Sequence, residues 1–124
     1  MVVRRAAGRA ARRGAAPGTR CVVRRGGVTR RRGTARDFGV EEHALDDVLG
    51  GDAETNAEAL RGVLRGDGSA ALRDFIAVNA GAGLYVCGLA ANLQQGAEQA
   101  LAAIDDGGAA ARVGAFVEAT RRSD

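Results

Sequence analysis

The sequence of 124 residues contains no lysine and no tryptophan, and it has only one proline and one histidine. Aromatic residues make up 3% of the chain, so a core has to be built from aliphatic residues and alanine, which buries little apolar area. Two cysteines, Cys21 and Cys87, are too few for a disulfide framework or a metal cluster, and the single His43 excludes a multi-histidine metal site. No apolar run approaches the roughly 18 residues of a membrane span.

Charge is distributed unevenly along the chain. Residues 1–36 contain twelve arginines and no acidic residue, whereas residues 37–124 contain six arginines and fifteen acidic residues. The first segment consists mainly of arginine, alanine and glycine, and dense like charge with little apolar surface opposes folding. We therefore expect residues 1–36 to be a basic segment that is disordered or out of frame, and residues 37–124 to be a separate helical segment.

Other interpretations of the basic segment stay open. A basic arm could bind nucleic acid through the phosphates, although the lack of lysine and of interleaved aromatic residues makes this unfavourable. An organelle transit peptide would also be free of acids, but the amphipathic, serine-rich pattern is missing. Residues 19–25 and 28–30 could form a β-hairpin around Gly26-Gly27, because glycine allows the positive φ angles of a tight turn.

The acidic segment has the 3.6-residue periodicity of about five helices. They are expected over residues 40–49, 52–64, 69–87, 92–104 and 109–120. Asp52, Ser69 and Asn92 are the expected N-caps, because short polar side chains accept hydrogen bonds from the first free N–H groups of a helix. Gly66 and Gly88 are expected to end the second and third helices. The sequence therefore predicts a mostly α fold.

The third predicted helix is unusual because residues 79–83 are Asn-Ala-Gly-Ala-Gly. Each glycine in a helix costs roughly 0.5–1 kcal/mol relative to alanine, and such a run is tolerated where another backbone packs closely. We therefore expect this helix to be buried against a neighbouring element, with the amide of Asn79 satisfied by hydrogen bonds. A ligand contact at Asn79 is the alternative.

Two segments have features of phosphate-binding motifs. Residues 81–86 begin like a dinucleotide-binding loop, but Val86 stands where the third glycine is required and no strand leads into the segment. Gly50 and Gly51 precede a predicted helix and could offer N–H groups to an anion. Because the side chain of Asp52 competes for the same donors, capping is the favoured interpretation of this segment.

The nucleophilic and acidic residues of the sequence do not form the pattern of a catalytic site. Ser69 and Ser123 have no evident histidine partner, and His43 lies on a charged stretch that is expected to be solvated. Cys87 is expected to be a small packing residue of the buried helix. The acid pairs at 41–42, 46–47 and 105–106 lie at or near helix ends, where carboxylates are mostly solvated. We therefore assign no catalytic, cofactor-binding or metal-binding residue.

Three blocks of sequence resemble the C-terminal part of anthranilate phosphoribosyltransferase. They are Asp-Phe-Gly-Val at 37–40, Leu-Gly-Gly-Asp-Ala-Glu-Thr-Asn-Ala at 49–57, and Val-Asn-Ala-Gly-Ala-Gly-Leu-Tyr-Val-Cys-Gly-Leu-Ala at 78–90. Their order and spacing are similar to the family over about residues 37–120. Related nucleoside phosphorylases share the architecture, in which a small helical domain accompanies a larger α/β domain. The resemblance implies that residues 37–124 belong to the C-terminal part of that α/β domain.

The resemblance implies a cytoplasmic enzyme of tryptophan biosynthesis, often a homodimer, that transfers phosphoribosyl from PRPP to anthranilate with magnesium. The family's phosphate loop and Lys-His-Gly segment belong to its N-terminal portion, and this sequence contains neither. Its magnesium-binding carboxylates precede the Asp-Phe-Gly block, where this sequence has no acid. A one-base shift in a GC-rich gene would produce such a segment. We therefore expect a fragment that is inactive alone. The alternative is a helical binding module whose basic arm binds nucleic acid or an acidic partner.

Overall fold

The computed structural model describes residues 4–5, 19–24 and 28–122. Three strands, β1 (Arg4–Arg5), β2 (Thr19–Arg24) and β3 (Val28–Gly33), are followed by two 3₁₀ helices, Ala35–Phe38 and Leu45–Val48, and by the helices α1 (Ala53–Arg65), α2 (Ala70–Val86), α3 (Leu93–Asp105) and α4 (Gly108–Arg121). The described part of the chain is therefore mostly helical, as the sequence predicts. None of its helices is long and apolar enough to cross a membrane.

The three strands form one antiparallel sheet in the order β1-β2-β3. Thr19 of β2 lies opposite Gly33 of β3, and Arg24 lies opposite Val28. Strands β2 and β3 thus occupy the positions that were considered for a hairpin, within the segment expected to be disordered or out of frame. The expected turn at Gly26-Gly27 lies outside the described residues.

The predicted N-caps of α1, α2 and α3 are confirmed. Asp52 accepts a hydrogen bond from the N–H of Thr55 at 2.8 Å, and Asn92 accepts one from the N–H of Gln95, also at 2.8 Å. Ser69 caps α2 more loosely, at 3.5 Å from the N–H of Leu72. These three caps fix where the helices begin. Beyond the end of α2, Gly88 turns the chain with a φ of 77°, as its predicted helix-ending role requires.

The α-helix expected over residues 40–49 is wrong, and the described part of the chain has four α-helices rather than five. Residues 41–44 are irregular, and only Leu45–Val48 forms a 3₁₀ turn. The carboxylate of Asp47 accepts a hydrogen bond from the N–H of Ala44 at 3.0 Å. Short polar side chains that bond to nearby N–H groups compete with helix formation, and a segment this short gains too few helical hydrogen bonds to overcome that competition.

The core is small and lies where the first 3₁₀ helix meets α2 and α3. Its buried members are Phe38, Val78, Ala82 and Ala97, with Val40 and Leu93 packed against them. Phe38 and Val63 are the largest fully buried side chains among the described residues. The aromatic-poor composition thus gives a core of alanines around one phenylalanine.

Helices α2 and α3 approach each other at a pair of glycines. A Cβ atom built on Gly81 would lie within 3 Å of backbone atoms of Gly96 and Ala97, and one built on Gly96 would overlap the carbonyl of Gly81. A Cβ atom on Gly83 would meet nothing within 4 Å. The close packing predicted for residues 79–83 is therefore confirmed, and Gly81 is the residue that requires it.

Candidate functional site

Asn79 lies half-buried on α2, and its amide has a partner. The side-chain Nδ2 donates to the carbonyl oxygen of Phe75, one helical turn earlier, at 2.8 Å. This bond confirms the expectation that a polar side chain among apolar neighbours is satisfied within the protein. It also accounts for Asn79 without a ligand.

His43 lies against α2: the charged stretch around it is exposed, as expected, but its own side chain is largely covered. Its Nε2 atom is 2.8 Å from Oδ2 of Asp74, and the two side chains are only 20% and 15% exposed. Helical periodicity cannot reveal this pair, because the irregular segment that carries His43 folds back onto α2 through tertiary contacts. A carboxylate can orient an imidazole for catalysis, but no hydroxyl or thiol of the described residues hydrogen-bonds to His43.

The candidate nucleophiles form a helix cap, lie at the surface or fall outside the described residues. The hydroxyl of Ser69 caps α2, and Ser123 lies outside the described residues. Cys87 is exposed, so the expectation that it packs inside a buried helix is wrong. The reason is that α2 ends at Val86, and Gly88 then turns the chain with positive φ, which leaves the thiol at the surface.

The Gly50-Gly51-Asp52 segment is closed by side chains of α1. The N–H of Gly51 donates to Oδ1 of Asn56 at 2.9 Å, and Nδ2 of Asn56 donates back to the carbonyl of Gly51 at 2.9 Å. Hydrogen bonding from the N–H of Thr55 lowers the pKa of Asp52 below its ordinary value. These contacts support capping over anion binding, because the N–H groups of Gly51 and Thr55 already have acceptors within the protein.

A groove of about 450 Å³ lies between α1 and the start of α2. It is lined by Thr55, Glu58, Ala59, Gly62, Arg65, Asp67, Gly68, Ser69 and Leu72. The Nη2 atom of Arg65 lies 3.1 Å from Glu58 and its Nε lies 3.6 Å from Asp67. Hydrogen bonding to Arg65 lowers the pKa of Glu58, and the same bond raises the pKa of Arg65. Because these opposite charges pair with one another, the groove presents no single sign of charge to a ligand.

The acidic residues at the end of α3 have structural partners. One guanidinium nitrogen of Arg73 contacts both carboxylate oxygens of Asp105, at 2.6 and 2.7 Å, and so ties α2 to α3. Asp106 accepts the N–H of Gly108 at 2.7 Å, at the start of α4. Across the described ranges, histidine, cysteine and acidic side chains nowhere converge in a group of three that could hold a metal ion.

Several of the candidate side chains described above cap helices or pair with a neighbouring charge. Residues 1–110 match the model of a family described as "Glycosyl transferase family, a/b domain". The chain belongs to this glycosyl transferase family. The match begins at residue 1 and so includes the basic segment, whose out-of-frame origin stays a hypothesis; an out-of-frame stretch would not be expected to match.

Curated proteins similar to this chain are named anthranilate phosphoribosyltransferase. The protein of Rubrobacter xylanophilus is 43% identical over 97 residues, which are 78% of this chain and 28% of that protein. The protein of Haloferax volcanii is 45% identical over 86 residues, and that of Methylocella silvestris is 47% identical over 90 residues; these matches cover 69% and 73% of this chain and 26% of each relative. The resemblance seen in the three sequence blocks is thereby confirmed. The chain spans about a quarter of the length of these relatives.

Proposed function

We propose that this chain supplies the C-terminal part of an anthranilate phosphoribosyltransferase, which transfers phosphoribosyl from PRPP to anthranilate in tryptophan biosynthesis. The observation that carries the proposal is the identity of 43% with the Rubrobacter xylanophilus protein across 78% of this chain. The activity named for the relatives belongs to proteins of about four times the matched length, so we assign to this chain a share in the activity. We place the assembled enzyme in the cytoplasm, as a homodimer.

We propose further that the chain has no transferase activity alone. Phosphoribosyl transfer depends on groups that hold pyrophosphate and stabilise positive charge developing on the sugar. The described residues bring no three acidic or histidine side chains together for magnesium, and the sequence has no acid before Asp37. These residues do not fit the metal, so we derive no step through it. The magnesium and both substrates would be bound by other parts of the enzyme.

The contribution of this chain is positional. The close backbone approach of Gly81 to Gly96 packs α2 against α3, and the ion pair between Arg73 and Asp105 also joins the two helices. Rigid elements that carry or support a site keep its reacting groups within the narrow geometry that catalysis requires. We therefore expect the α2–α3 pair to act as a support for the substrate-binding parts of the enzyme.

The experiment is a chimera in which residues 37–124 of this chain replace the corresponding C-terminal segment of the Rubrobacter xylanophilus protein, so that the relative keeps its own residues before that segment. Formation of phosphoribosyl anthranilate is followed by the loss of anthranilate fluorescence, with PRPP and magnesium present. We expect activity from the chimera and none from the isolated chain. A chimera with Gly81→Val is the matched negative control, because it disrupts the α2–α3 contact. Activity of the isolated chain above a buffer blank would contradict its inactivity, and a folded but inactive chimera would contradict the proposed function.

A second candidate is a helical binding module with a basic arm, and the observation that favours it is the twelve arginines without any acid in residues 1–36. It predicts binding to double-stranded DNA that weakens steeply with salt and is lost when residues 1–36 are deleted. Binding that is absent, or that is insensitive to salt, would remove this candidate. An acidic protein is the other partner that such an arm would accept. Neither partner explains the match of residues 1–110 to a transferase family, and we rank this candidate second.

A further inference from the structure

Helix α4 carries an uncovered apolar stripe formed by Val113, Phe116 and Val117, which are 38%, 69% and 40% exposed. Their spacing of three and four residues places them on one side of the helix, as in the core-facing stripe of an amphipathic helix. Helix α4 contacts α1 and α3, yet it contributes no buried residue among those described. The α4 stripe is therefore a face that is patterned for burial and lacks a cover within the described part of the chain.

The exposure of this stripe is unusual for the molecule. Phe38 in the core is only 1% exposed, whereas Phe116 is 69% exposed, so most of its ring lies in water. Burying a phenylalanine contributes roughly 1.5–3 kcal/mol relative to leaving it exposed, so a helix that displays one gains stability when a partner covers it. Contiguous exposed apolar residues with a polar rim commonly mark an interaction surface.

The rim of the stripe is basic. Arg112 and Arg121 lie on its two sides at about 100° per residue, and within the described ranges neither forms an ion pair. The one acidic residue of α4, Glu118, is already engaged by Arg122. A second copy that docked through the same stripe would bring two more unpaired arginines and no free carboxylate from α4. Charge complementarity therefore favours a different partner, with an apolar surface edged by acidic residues.

The relatives point to such a partner. They extend over about four times the length that this chain matches, and the family is described as an α/β domain, whereas the described strands form only a small antiparallel sheet. Helices of α/β domains cover the faces of a mostly parallel sheet with their apolar sides. Helix α4 mostly follows the family match, which ends at residue 110, so the match by itself assigns it no role.

We propose that the α4 stripe is the surface on which the remaining three quarters of an anthranilate phosphoribosyltransferase packs, with acidic residues of that part meeting Arg112 and Arg121. The inference rests on the proposed function, because it takes the occupant from the same enzyme. It adds the location of the joint and the chemistry of the opposing surface. Docking and catalysis are measured separately, so either can fail without the other.

The test compares the isolated chain with the chimera by thiol labelling. In a background where Cys21 and Cys87 are serine, Phe116→Cys reports on the stripe, and Ala115→Cys is the matched control on the opposite, exposed side of α4. A maleimide reagent should label Phe116→Cys at least about 10-fold more slowly in the chimera than in the isolated chain, because the rest of the enzyme covers the thiol. A tenfold change corresponds to about 1.4 kcal/mol of protection. The rate at Ala115→Cys should be the same in both proteins.

Equal labelling of Phe116→Cys in the chain and the chimera would overturn the proposal, and so would equal slowing at both positions. Slow labelling of Phe116→Cys in the isolated chain that speeds up on dilution would show a second copy as the occupant and would also overturn it. If the chimera does not fold, the chain is co-expressed with the unmatched part of the Rubrobacter xylanophilus protein. Co-purification that is lost with Phe116→Glu but kept with Ala115→Glu supports the proposal. If the unmodified chain does not co-purify, or if both variants behave alike, the proposal is overturned. A protected stripe in an inactive chimera would instead remove only the proposed function.

Discussion

Helices α3 and α4 are nearly equal in length, with 13 and 14 residues, but α3 buries four of its residues and the described part of α4 buries none. The buried residues of α3 are mostly small, and Gly96 lets its backbone touch that of α2 at Gly81. Helix α4 has larger apolar side chains and leaves them in water. The difference teaches that burial in these two helices follows the closeness of the backbones, because α3 is buried where it touches α2, whereas the larger apolar side chains of α4 remain exposed in the described part of the chain.

The largest contrast is expected between two phenylalanines. Phe38→Ala should destabilise the fold by about 3–5 kcal/mol, because it removes the one large ring from the core and leaves a cavity. Phe116→Ala should change the free energy of unfolding by less than about 0.5 kcal/mol, since the ring is mostly exposed. Urea unfolding followed by circular dichroism measures both. Equal losses would break the contrast between the core and α4.

The glycine contact gives the next largest effect. Gly81→Val should destabilise by about 3 kcal/mol, because its side chain would overlap the backbone of α3. Gly83→Ala is the matched control and should stabilise by about 0.5–1 kcal/mol, since its methyl group meets open space and alanine favours the helix. Both variants are compared by urea unfolding. A tolerated Gly81→Val would show that α2 and α3 can separate without cost.

The capping of α3 should have a smaller effect. Asn92→Ala removes the acceptor for the N–H of Gln95 and should cost about 1 kcal/mol. Asn92→Asp keeps an oxygen in the same position and should retain most of the stability. Helix α4 has no side-chain cap at Gly107, so a loss confined to α3 would sharpen the difference between the two helices. Thermal unfolding of the two variants checks this, and an equal loss from both would argue against the cap.

The smallest effect is a dependence on pH at the start of α1. The pKa of Asp52 is lowered in the folded protein by the N–H of Thr55, so below its ordinary value of about 4 the unfolded state binds more protons than the folded state. The stabilisation is complete above that pH and is lost as the pH falls through the lowered pKa. Asp52→Asn keeps a cap without the titration, so the difference in midpoint temperature between the wild type and Asp52→Asn should shrink or reverse on acidification. A difference that is independent of pH would contradict this assignment.

The local parts of the fold could be read from the sequence, and the tertiary parts could not. Caps such as Asp52 and Asn92 act within three residues, so they mark helix ends without any knowledge of the rest of the chain. The segment at residues 40–49 has apolar residues at helical spacing, but the carboxylate of Asp47 accepts a hydrogen bond from the N–H of Ala44 and so competes with helix formation. Periodicity took no account of that competition.

The candidate site residues show the same limit. The stretch around His43 is exposed, as its charged residues predict, and only the folding of this segment onto α2 reveals the pair between His43 and Asp74. Cys87 looked buried because its helix has apolar neighbours, but the helix ends one residue earlier. The helix over residues 109–120 was predicted from its spacing, but the exposure of Val113, Phe116 and Val117 is seen only in the folded structure. Family membership was readable because three blocks together are specific even where each is weak.

The contact between Gly81 and Gly96 has a consequence for folding speed. The two residues are separated in sequence by only fifteen positions, and the connection between α2 and α3 runs over residues 87–92. Closing a loop this short costs little entropy, and proteins dominated by such local contacts fold rapidly. The α2–α3 hairpin is therefore expected to form first and to act as the nucleus onto which α1 and the first 3₁₀ helix condense. Its amide protons should exchange last and together, while those of α4 exchange early.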